Sequence, residues 1–175
     1  MKNLLRVFSL FAVVMLVFSG CAKPVSKCVS PEDNPAHHYV AGMELIDAGK
    51  VNEAGEKFER ARYCDAGYGP AYAGLAIVSA MKARAAREES YRKTDVDNAF
   101  DMLETAEKKA STNADDFAYH LASMRVNTIL KPSRKWVGHV EDDYKNAMKL
   151  KVDEKRLLYY EGREAASFFM GNAYL

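Results

Sequence analysis

The chain has 175 residues and a mass of 19.6 kDa, which accommodates a single ordinary domain. Hydrophobic residues make up 49% and charged residues 28%, the balance of a packed globular protein rather than of a disordered or low-complexity one. Lys and Arg number 25 against 24 Asp and Glu, and losing Lys2 and Arg6 with the leader described next turns the net charge from +1 to −1. No field of either sign remains to hold a nucleic acid.

Residues 1–20 read as an export signal. Lys2 and Arg6 are positive, and the predominantly apolar run Val7–Phe18 is short for the ~30 Å of a bilayer core but suits a signal-peptide core. Small Ser19 and Gly20 then precede Cys21. This ending resembles the bacterial lipobox, with Phe18 standing where that family usually has Leu. The resemblance implies cleavage before Cys21 and a lipid thioether, with acyl chains such as palmitate, on its sulfur. Each buried CH₂ contributes ~0.8 kcal/mol, so two or three chains would anchor the protein stably. Ala22, rather than Asp, follows the cysteine, which in such lipoproteins implies the outer membrane facing the periplasm. Residues 21–34, with two prolines and no apolar period, read as a tether.

From Pro35 to the end, residues 35–175, the pattern is helical, with apolar residues three and four apart and no convincing alternation. The spacing predicts seven helices near 35–48, 51–64, 70–89, 95–111, 114–130, 133–150 and 153–174. Pro70 suits a first helical turn, and Asn113 and Asp153 are expected to cap the helices after them. The fold class is all-α.

Comparison of the chain with itself gives three stripes of small, bulky and small residues: Ala54-Phe58-Ala61, Ala99-Leu103-Ala106 and Val140-Tyr144-Ala147. Twenty-two residues after each stripe begins stand Ala76, Leu121 and Gly162, and Gly42 stands twelve before Ala54. These residues resemble the tetratricopeptide repeat (TPR), a helical hairpin with a small residue in its first helix and such a stripe in its second. Residues 35–68 fit best, through Gly42, Leu45, Gly49, Ala54, Phe58 and Ala61. Later units are longer, the stripes lying 45 and then 41 residues apart, and Leu121 replaces the small residue. The resemblance implies a TPR-like solenoid of about three and a half repeats.

Cys28 lies just before the first expected helix and Cys64 ends the second. An antiparallel hairpin makes those ends neighbours. In an oxidising compartment a bridge between them closes about 36 residues and stabilises by ~3–4 kcal/mol. No C-x-x-C is present, so neither a redox centre nor a zinc site is expected.

Chemistry is sparse. His37 and His38 point ~100° apart on a helix and cannot share a metal. His139 and Asp143 share a face but lack a third ligand. Glu141, Asp142 and Asp143 read as a solvated surface. No nucleophile elbow or phosphate loop occurs, so no catalytic residue, metal or cofactor is expected.

In the repeat family, set positions of each first helix line a concave groove. Carried onto this chain they are Tyr39, Met43, Ile46, Ile77, Arg125, Tyr159 and Arg163, and Tyr and Arg often dominate interfaces. The family's clamp for a peptide carboxylate has no counterpart, since the fifth positions are Tyr39, Ala73, Ala118 and Tyr159. The resemblance implies a lipid-anchored envelope adaptor that holds a protein partner in this groove. Phe168, Phe169, Met170, Tyr174 and Leu175 crowd the last turns, where either a cap or an exposed interface is expected. The interface reading gives the alternative, a structural subunit that self-associates through its last helix. A small-ligand site would need a deep pocket with convergent polar groups.

Overall fold

The computed structural model describes residue 28, residues 30–153 and residues 162–175. Among the described residues every regular element is an α-helix. The seven are α1 (Pro35–Asp47), α2 (Val51–Cys64), α3 (Gly69–Ala85), α4 (Glu89–Lys109), α5 (Asn113–Leu130), α6 (Trp136–Lys149) and α7 (Arg163–Asn172). None is long and apolar enough to cross a membrane. Residues 1–20, Cys21 and Tyr159, for which a signal, a lipid anchor and a groove position are expected, lie outside the described residues.

Local chemistry sets the boundaries. Asn34 caps α1, its side chain accepting from the His37 amide at 2.9 Å, and Pro35 occupies the first turn, where its missing N–H is harmless. Gly49, at φ +73°, reverses the chain into α2. α5 is capped by Thr112 and not, as expected, by Asn113. Thr112 accepts from the Asp115 amide while Asp115 accepts from the Thr112 amide, a reciprocal box that uses two otherwise orphaned donors. Asn113 instead reaches the Lys151 carbonyl at 2.9 Å.

The fourth helix begins earlier than its sequence suggests. Thr94-Asp95 is no break, because the Thr94 hydroxyl donates back to the Ser90 carbonyl and Lys93 pairs with Asp97 at 2.7 Å within one continuous helix. The break falls at 86–88, where Arg92 closes the end of α3 by donating to the Ala86 carbonyl. α6 starts at Trp136, after a turn at Ser133, rather than at Ser133 itself. α7 spans Arg163–Asn172, with Gly162 as its extended N-terminal flank rather than an in-helix small residue, and residues 154–161 of the helix expected over 153–174 lie outside the described residues.

Consecutive helices joined by short connections pack in pairs, α1 on α2, α3 on α4 and α5 on α6. α3 touches α1, α2, α4 and α5, and it is buried around most of its circumference, as a central helix must be. The three stripes turn inward. Ala54, Phe58 and Ala61 are fully buried, as are Ala99, Val140 and Ala147, with Leu103 and Ala106 nearly so and Tyr144 partly. Phe58 is the tightest contact. A Cβ placed on Gly42 would meet its ring at 2.5 Å, and one on Gly74 would meet it at 2.4 Å. The ring is therefore held between two bare backbones, one on α1 and one on α3.

Two core clusters result. One joins α1 to α5 around Phe58, Ile77 and Val126. The other joins α5, α6 and α7 around Phe117, Met124 and Val140.

Candidate binding cleft

Four of the residues expected to line a groove are core residues. Tyr39, Met43, Ile46 and Ile77 are each at most 5% exposed. Tyr39 packs its ring against Phe58 and Tyr68, at centroid distances of 5.8 and 6.2 Å. The structure places these four in the core, where the face they form is filled by the protein itself. A space of only about 10 Å³ remains among Tyr39, Met43, Ile77, Leu121, Arg125 and Phe169, barely the room one water needs.

Arg163 is likewise occupied. Its guanidinium donates to the Met148 and Leu150 carbonyls, both at 3.0 Å, and so closes the C-terminal end of α6. It is a structural clamp rather than a groove ligand. Phe169 is half-buried and lines the small space and the cleft beside it. Phe168, Tyr174 and Leu175 are the exposed members of that group, at 63%, 65% and 103%.

Arg125 stands where the filled face gives way to open space. Its side chain is 17% exposed, its guanidinium lies 5.7 Å from the Phe169 centroid, and Asp47 offers one carboxylate oxygen 3.4 Å from both terminal nitrogens. That is longer than a good N–H···O bond, so Asp47 neutralises the charge without engaging the fork well. Beyond Arg125 a cleft of about 390 Å³ opens between α3, α5 and α7 beside the start of α2, walled by Val51, Met81, Ile129 and Phe169 and edged by Arg84.

A second cleft, of about 460 Å³, lies between α4, α5 and α6 and has the opposite charge. Glu104, Glu107, Asp142 and Asp143 line it with Phe100, Tyr119 and His139. Burial, with the charges of Asp143 and Glu107 adding to it, pushes the Tyr119 hydroxyl up to about 12. The expected His139–Asp143 pair does not describe the bonding. Asp143 accepts from the Ser123 hydroxyl at 2.5 Å and pairs with His120 Nδ1 at 2.8 Å. Ser, Asp and His are together, but the serine donates to the carboxylate and not to the imidazole, so no base is aimed at it. His120 and Ser123 stand three apart on α5, a spacing that could have flagged a shared face; only packing brings Asp143 of α6 to them.

Cys28 and Cys64 are joined by a disulfide, with Cα atoms 5.1 Å apart. Asp33 lies beside it, forked by Arg60 at 2.9 and 2.6 Å and touched by His38 Nε2 at 2.8 Å. The hydrogen bonds from Arg60, then from His38, hold the Asp33 carboxyl down at about 2. Cys28, Asp33 and Cys64 are the one group among the described residues whose ligand atoms lie within 4.8 Å of one another. With the sulfurs bonded to each other, neither is available as a thiolate ligand.

No family model, no curated protein and no solved structure matches this chain.

Proposed function

We propose that this protein is a lipid-anchored envelope adaptor, moored through Cys21 and built as a TPR-like stack of helical hairpins that holds a partner protein near the membrane. The inward small-bulky-small stripes support the hairpin stack, since small residues at these positions let paired helices approach closely. The observation that carries the adaptor reading is Phe168, an aromatic side chain of α7 that the fold leaves 63% exposed to water. Because the face around Tyr39 and Ile77 is filled, the partner surface in this reading is α7 and its surroundings. Tethering raises the partner's effective concentration without any catalytic group.

A photo-crosslinking residue at Phe168, in membranes of the native host, tests the reading. Capture of one defined protein, lost with Cys21→Ser, is expected; capture of nothing but a second copy of the chain would replace the adaptor with the self-associating subunit. The same exposed residue motivates that second reading, and a concentration-dependent mass measurement separates the two.

A further inference from the structure

We infer that the cleft between α3, α5 and α7 is a binding site for a small amphipathic carboxylate, an alkyl chain of medium length ending in a carboxyl group. The inference concerns a ligand beneath α7 and does not depend on the adaptor reading.

The lining divides into two chemistries. Val51, Met81, Ile129 and Phe169 present hydrocarbon and a flexible thioether, surfaces that gain from excluding water but cannot orient a ligand. Arg84 and Arg125 add two guanidinium groups to the same space. A volume of about 390 Å³ is in the range of small-molecule sites. It is far larger than the void on the other side of Arg125.

The two arginines differ in a way that suits an anion. Arg125 is mostly withdrawn from water, yet its acidic neighbour Asp47 is 42% exposed and reaches it through one oxygen at 3.4 Å. A partly buried cation with a poorly engaged fork is an anion receptor in waiting, because the cost of desolvating it has been met without the bidentate bonds that usually offset it. The Phe169 ring under the guanidinium restricts its plane. Arg84, in the last turn of α3, is exposed and lines the same cleft. A carboxylate at the arginines, with its chain along Met81, Ile129 and Phe169, satisfies both halves of the lining. A neutral alcohol of equal length would satisfy one, and acetate only the other.

The test uses the full chain in lipid nanodiscs and a decanoate carrying a terminal diazirine. Illumination followed by peptide mapping is expected to place adducts on residues of α3, α5 and α7, and unlabelled decanoate should compete for them. Arg125→Gln should reduce this labelling about tenfold, the size expected for losing a charge-assisted hydrogen bond. Arg84→Gln should reduce it about threefold, as expected for a more exposed charge. Arg84 is on the surface, so its variant reports on the site even if Arg125→Gln misfolds. Asp47→Asn should increase labelling, because it removes the competing carboxylate. Equal labelling by the matching diazirine decanol, adducts confined to the first 34 residues, or labelling unchanged in both arginine variants would each overturn the proposal.

Discussion

The first helical pair and the last helix are built from similar residue types, yet they are held in different ways. In α1 and α2 the apolar stripe closes around one aromatic ring, with Gly42 and Gly74 giving it room from either side. The pair is then crosslinked at Cys28–Cys64, and Asp33 ties the residues before α1 to Arg60 of α2. α7, in contrast, seats only Ala166 fully, with Ala173 just beyond it, and leaves Phe168 in water. Two kinds of use follow. A region that encloses its own aromatic side chains is a foundation, whereas one that buries alanines and exposes phenylalanine keeps apolar surface for something else.

Substitutions can break this contrast at several strengths. The largest effect is expected from Phe58→Ala, which would empty a fully enclosed site and cost ~3–5 kcal/mol in urea unfolding. Replacing Cys28 and Cys64 together with Ser should lower stability by ~3 kcal/mol relative to the oxidised chain, and the reduced native chain should fall by a similar amount. Gly74→Ala should cost ~1–3 kcal/mol, since its methyl would collide with a ring that cannot move aside. If it is neutral, the close nesting of Phe58 is not what holds α1, α2 and α3 together.

Acid should weaken the same region. The Asp33 carboxyl is held at about 2, below its ordinary 3.8, so between those values the unfolded chain binds the proton and the folded one does not. Its contribution is present above about pH 4 and is lost as pH falls toward 2. Thermal melts of Asp33→Asn should therefore show a flatter dependence over that interval than the parent. The smallest effect on stability, within ~0.5 kcal/mol, is expected for Phe168→Ser, an exposed position. The same substitution should abolish partner capture or self-association, which sharpens the contrast between foundation and contact surface.

The helical pairs were legible because their signals are local. Ala54, Phe58 and Ala61 stand four and three apart, so one face of α2 is apolar whatever surrounds it. Cys28 and Cys64 meet because a hairpin returns the chain to its start. The onset of α4 was less legible, since Thr94 and Asp95 resemble a cap and only the bonds from Thr94 to Ser90 and from Arg92 to Ala86 show that the helix runs through them. The candidate sites were legible least. Tyr39 and Ile77 read as groove residues only through the resemblance to the repeat family, yet both are buried in the packed core. Gly74 carried no signal of its own, because its use depends on a ring from another helix.

What the sequence determined by itself is the set of helices and the face each one turns inward, since neighbours on a helix are three or four residues apart and need nothing distant. Which parts of those faces stay open was decided by tertiary structure alone. Phe169 and Arg125 come from two helices and line both a space of about 10 Å³ and a cleft of about 390 Å³, and how much room each keeps depends on how closely the surrounding helices approach. That approach is set by side chains far apart in the chain, which no local spacing encodes.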